Sequence, residues 1–323
     1  MVFKRLLGSL GVGGPAVDTV LAPGAVLPGG TLSGEVRLTG GSAAFDIDHI
    51  TLELVARVEA EHEHGESEGT VVFERFTVGG GFRLAEGEQR TIPFGVPLPW
   101  ETPVTELHGQ PLGVVLGVRT ELAVTGARDK GDLDPLAVRP LPAQEAVLEA
   151  LGQLGFGFRS ADLEYGRIGG TGQQLPFYQE IELTPAPRFA HGAGEFELTF
   201  LAHPGGMEVV VEADKRGGFL GGGHDTLGRF TVSHDTGQDW TSLVDGWFRQ
   251  LLESRPAMYP APHHGHGEPG YAGPHHAHGG GRPGMGTAVA AGAAGLAVGV
   301  AGGLVAAEVV DEVGDFFEGD EED

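Results

Sequence analysis

Residues 91–100 read Thr91-Ile92-Pro93-Phe94-Gly95-Val96-Pro97-Leu98-Pro99-Trp100, and the fold turns on how this stretch is built. Apolar Ile92, Phe94, Val96 and Leu98 fall on every second position, the period of a half-buried strand. Pro93, Pro97 and Pro99 stand between them. Proline cannot donate to a sheet ladder, so this strand must lie at an edge or leave its sheet as it goes. Outward from it the same alternation recurs. Leu32, Gly34, Val36 and Leu38 alternate with Thr31, Ser33, Glu35 and Arg37; Ile50, Leu52, Leu54, Ala56 and Val58 alternate with Thr51, Glu53, Val55, Arg57 and Glu59. Residues 72–78 and 114–124 continue the pattern. Short strands bounded by Gly and Pro, with almost no helical period, predict an antiparallel β-sandwich over the first 126 residues.

Residues 127–139 are charged and turn-forming, and read as a linker. Beyond Pro140 and Pro142, Val147, Leu148, Leu151 and Leu154 have helical spacing. Strand-like segments follow at 161–166, 175–182, 196–200, 207–212 and 226–233. Asp239 then caps a second predicted helix with Leu243, Val244, Trp247, Phe248, Leu251 and Leu252 on one face. This second strand-rich unit spans 140–255.

The segment Pro93-Phe94-x-x-Pro97-x-Pro99 resembles the proline-studded strand of arrestin-type β-sandwiches. Phe3-Lys4-Arg5-Leu6-Leu7-Gly8-Ser9-Leu10-Gly11-Val12-Gly13, followed by Val17-Asp18-Thr19-Val20-Leu21, is similar to the start of the SpoOM family of bacterial sporulation-control proteins. Pro28-Gly29-Gly30 before Gly34-Glu35-Val36, and Ile47-Asp48 opening a long alternating strand, carry the same resemblance, which covers roughly residues 1–255. It implies a mainly β fold of two tandem arrestin-like sandwiches, at 1–126 and 140–255, with a short helix opening the second. It further implies a cytoplasmic, non-enzymatic regulator or scaffold that acts through protein partners in developmental control.

Composition bounds the alternatives. The formal net charge of −25 argues against phosphate-backbone contacts, so nucleic acid is not an expected partner. Cysteine is absent, which excludes disulfides, thiolate metal sites and a cysteine nucleophile. The 57 Gly and 21 Pro, about a quarter of the 323 residues, point to many turns and a low-complexity region. At the N-terminus, Val2, Phe3, Leu6, Leu7 and Leu10 share one face of a short helix, read as docked on its own sandwich, with Lys4 and Arg5 as a minor membrane contact in the alternative.

The low-complexity region is the tail. Residues 256–286 are rich in Pro, Gly and His and cannot bury a core. Residues 287–307 run uncharged through Ala, Gly, Val and Leu, with a Gly295-x-x-x-Gly299 spacing that suits close helix approach. The reading there is open between self-association, a weak membrane segment and disorder, since Ala and Gly gain little from lipid and each Gly lowers helix propensity. Residues 308–323 are acidic.

Few residues offer chemistry. His263, His264, His266, His275, His276 and His278 form two clusters able to capture Zn²⁺ or Ni²⁺ weakly, without preset geometry. His62 and His64 sit at an expected hairpin tip. His224-Asp225-Thr226 and His234-Asp235-Thr236 repeat a tripeptide, but neighbouring glycines place both in turns where Asp and Thr cap backbone groups. No nucleophile elbow, phosphate loop, dinucleotide fingerprint or zincin motif is present. No catalytic or cofactor-binding residue is therefore expected.

Overall fold

The computed structural model describes residues 13–62, 65–126, 129–191, 194–214 and 226–253. Strands β1 (Ala16–Leu21), β2 (Thr31–Thr39) and β5 (Gln89–Pro97) form a three-stranded sheet in the order β1-β2-β5. The proline-bearing strand is thus an edge, paired with β2 alone from Thr31↔Pro97 to Thr39↔Gln89.

Opposite lies the sheet built on β3 (Phe45–His62), the long alternating strand. One edge of β3 pairs with β4 (Gly65–Leu84) along its whole length. The other edge is divided: β8 (Leu116–Val124) takes it up to Ala56, and β10 (Gly157–Tyr165) meets it in parallel at Glu59. Between the two sheets Leu32, Val36, Leu38, Leu52, Leu54, Val118 and Leu122 are buried, each worth about 1.5–3 kcal/mol of transfer free energy. The Thr19 and Thr120 hydroxyls meet at 2.7 Å inside this interface, joining β1 to β8.

The stretch read as a linker departs from expectation. Lys130–Pro135 forms β9 on the edge of β8. Its Gly and Asp residues have poor strand propensity, but pairing to an already formed neighbour overrides that weak preference. A short hairpin, β6 (Glu106–Leu107) and β7 (Gln110–Pro111), precedes β8.

In the second half, β10, β11 (Phe177–Thr184), β12 (Glu195–His203), β13 (Gly206–Asp214) and β14 (Thr226–Val232) continue the same sheet in sequence order. The two helices predicted in this half are present, α1 (Pro142–Leu154) and α2 (Trp240–Glu253). They pack on the face carrying Phe196, Leu198 and Val211: Phe248 of α2 lies against Phe156, Phe189 and Phe196, and Trp247 stacks on Phe230. Asp239 caps α2 through the Ser242 amide, as its position predicted, and the Ser242 hydroxyl, then that amide, hold its carboxyl below the usual range. Among the described residues no helix is long and apolar enough to cross a membrane.

Candidate functional site

Where β5 ends, Leu98 to Val104 leave the first sheet and run against the second half. Trp100 is fixed on one side by Gly29, whose φ of +69° and missing Cβ let the turn lie on the indole; a Cβ there would stand 2.5 Å from the ring. Gly29 donates its amide to the Pro99 carbonyl, and Leu98 donates to Gly30. On the other side the Trp100 ring stacks with His234, centroids 5.3 Å apart. The Glu101 carboxylate accepts the amides of Gln174 and Leu175 at 2.8–2.9 Å. Buried Gln179 of β11 both accepts from the Val104 amide, at 2.9 Å, and donates to the Val104 carbonyl, at 2.8 Å. Backbone polar groups crossing the seam are therefore satisfied by side chains of the other half, which sets the halves against each other in one register.

Beside this seam opens a cleft of about 550 Å³. Pro99, Trp100, Leu175, Leu201 and Pro204 give it an apolar lining, with Glu208 and Thr231 on one wall. Glu208 is held by Arg229. Ring nitrogen Nδ1 of His203 accepts from the Gly205 amide, and the His203 carbonyl lies 2.9 Å from His234 Nε2. Its ionisable groups already have structural partners.

The cleft opens onto the face of the second-half sheet turned away from the helices. The register there places like charges side by side. Glu182 of β11 faces Glu197 of β12, which faces Glu212 of β13, and Asp162 of β10 faces Glu180 of β11. Directly opposed like charges destabilise a sheet. The consequence is visible at Glu180: burial, then the fields of Glu197, Asp162, Glu164 and Glu212, push its carboxyl up to about 9. Burial, then Glu180, Glu164, Glu212 and Glu197, also raise the Tyr178 phenol.

Among the described residues, two groups have ligand atoms close enough to hold a metal ion, Asp162 with Glu164 and Glu180, and His108 with Glu145 and Glu149. Neither was singled out from sequence. The six tail histidines, residues 256–323, the N-terminal helix segment, His64 and His224 all lie outside the described residues. His62 ends β3 opposite Gly65, the first residue of β4, and Gly65 to Gly69, read as part of a hairpin tip, belong to that strand. His234 does lie in a turn, where the Asp235 carboxylate accepts the Gly237 amide at 2.9 Å as a capping side chain would. The signal that could have exposed the cleft is a tryptophan placed just as a Pro-x-Pro strand leaves its sheet.

Comparison with known proteins places this architecture. The SpoOM protein family model matches residues 3–217. The sporulation-control protein spo0M of Bacillus subtilis (strain 168) is 36% identical over 216 residues, covering 66% of this chain and 81% of the relative. The crystal structure of Spo0M from Bacillus subtilis superposes with a TM-score of 0.60 at 30% identity, covering 75% of this chain and 96% of that one.

Proposed function

Because the chain belongs to the SpoOM family, we propose that it is a non-enzymatic regulatory protein that works by protein–protein contact in developmental control. Its contact surface is the Trp100 cleft. The occupant is a segment of a partner protein that carries one bulky apolar side chain flanked by Lys or Arg. The observation that carries this reading is the continuity of an apolar cleft with rows of carboxylates on the same sheet face. Apolar anchors in pockets supply most of the energy of such contacts, while complementary charge sets encounter rate and partner choice. The excess of acidic residues over the whole chain, net −25, acts in the same direction. The structural engagement of Glu101, Glu208 and His203 supports a binding role over acid–base work.

The test is a displayed library of short peptides selected against the full chain, then rebound to a Thr231→Trp variant. Thr231 is an exposed strand position on the cleft wall, so an indole there fills the cleft without disturbing the core. Enriched peptides should pair an aromatic or aliphatic residue with nearby Lys or Arg, bind more weakly as salt rises, and lose about tenfold or more in affinity on the variant, the scale of one interface anchor. Peptides without basic bias, or equal binding to the variant at an unchanged melting temperature, overturn the reading.

A further inference from the structure

His108 and Gly109 are the two central residues of the β6–β7 hairpin, with φ of +51° and +75°. Both positive angles mark the mirror-image turn that favours Asn, Asp and Gly, and His108 is the non-glycine residue in the chain held in that region among the described ones. This turn lays the imidazole on the solvent side of α1. Its Nδ1 stands 3.2 Å from Glu145 Oε1 and its Nε2 stands 3.8 Å from Glu149 Oε1. Glu145 and Glu149 are one helical turn apart, so both carboxylates rise on one face of α1. Among the described residues no lysine or arginine pairs with either. One ligand atom from each of the three residues can be chosen so that all lie within 4.8 Å of one another.

We propose that His108, Glu145 and Glu149 form a site for a divalent transition-metal ion of the zinc type, which pins the hairpin before β8 to the first helix of the second half. The donor set is one imidazole nitrogen and two carboxylate oxygens, a combination suited to Zn²⁺ with water completing the shell. Bonds of about 2.1 Å at tetrahedral angles put ligand atoms about 3.4 Å apart. The observed spacing needs only a swing of two partly exposed carboxylate ends, with the backbone left where it is. Binding takes the neutral imidazole through one nitrogen and releases any proton that nitrogen carries. The ion thereby takes the place of the close approaches that the two carboxylates now make to different nitrogens of the same ring, at 3.2 and 3.8 Å. It also gives a reason for histidine at a turn position where asparagine is the better local choice.

Zinc titration of the full chain tests this, in a background where His263, His264, His266, His275, His276 and His278 are all asparagine, so that capture by the tail is removed. Calorimetry should find one equivalent bound, with the melting temperature raised by zinc. His108→Asn suits the turn and removes the ligand; it should leave the zinc-free protein as stable or slightly more so, and abolish the zinc-dependent rise. Glu149→Gln should weaken binding about tenfold or more, the scale on which even outer-shell partners act. No uptake in the background protein overturns the proposal, as does undiminished uptake by His108→Asn. Zinc-driven dimerisation in sedimentation, lost on His108→Asn, overturns the clamp within one chain.

Discussion

Two carboxylates in the middle of the same sheet are kept in opposite ways. Glu53 of β3 has a side chain 3% exposed, yet its register neighbours on either side are cations, Arg75 of β4 and Arg119 of β8. Arg75 donates to one oxygen, and Arg119 donates Nε to the other at 2.7 Å. Glu180 of β11 is also largely covered, but its neighbours are acidic and its carboxyl is held protonated up to about pH 9. A buried charge persists only when paired and hydrogen-bonded; otherwise the group takes up a proton. The first half has closed its outer face with an ion triad. The second half has left its own outer face acidic beside the cleft, so that it costs stability there, the pattern expected where a surface serves something other than the fold.

Breaking the triad should have the largest effect. Glu53→Gln keeps the shape and leaves two guanidinium groups facing a neutral amide. We expect a loss of about 2–3 kcal/mol in chemical denaturation, below the roughly 3–5 kcal/mol of a fully buried pair deprived of one partner, because the Arg75 side chain is largely exposed. A loss under about 0.5 kcal/mol, the scale of an ordinary surface change, would mean that solvent already serves both arginines and that the contrast with Glu180 is one of degree.

Glu180→Gln should go the other way. The folded-state value is raised, so between the unfolded value near 4.5 and about 9 the native protein holds a proton that the unfolded chain has lost. Stability conferred by the protonated acid is fully present below about 4.5 and falls as pH rises through that window. The amide does not titrate. The variant should therefore match the parent at about pH 3.5 and exceed it by about 1–3 kcal/mol at pH 8, within the range of unsatisfied buried polar groups. Equal stability of the two at both pH values would show that the acidic rows are well hydrated. The same variant should also weaken selected basic peptides least among changes on that face, since at neutral pH it removes no charge.

The edge strand at 89–97 and both helices were legible because each depends on local spacing: alternation with prolines, and apolar residues three and four apart. Glu53 was not. Its alternation with Leu52 and Leu54 assigned it to a polar face, and nothing local says that Arg75 and Arg119 will close over that face; the register of β3 with two partners decides it. β9 was missed because Asp, Gly and Lys signal a turn until β8 is there to pair with. The acidic rows were half visible. Glu182, Glu197 and Glu212 recur every fifteen residues, yet only the hairpin register turns that interval into adjacency. For His108, Glu145 and Glu149 the helical spacing of the two glutamates was readable, whereas the approach of a turn nearly forty residues away was not. In this chain local order is written in the sequence, and the surfaces proposed to bind arise at its long-range crossings.

The smallest of these effects separates burial from crowding. Asp134 of β9 is half-buried, and desolvation first, then Asp132 and Asp18, push its carboxyl up to about 6. Asp132 is a working group there, its carboxylate accepting the Thr19 amide of β1 at 2.6 Å. The sign is that of Glu180, with a narrower window. Stability conferred by protonated Asp134 is whole below about 3.8 and is lost as pH rises through about 6. Asp134→Asn should therefore be neutral at pH 3.5 and stabilise the protein above pH 6.5, by no more than about 1 kcal/mol once solvent screening of a half-exposed group is allowed for. If burial is the main cause, Asp18→Asn leaves most of this pH dependence in place. If instead Asp18→Asn alone flattens it, crowding of like charges governs the first half as well, and the two halves differ in where they collect acid rather than in how they tolerate it.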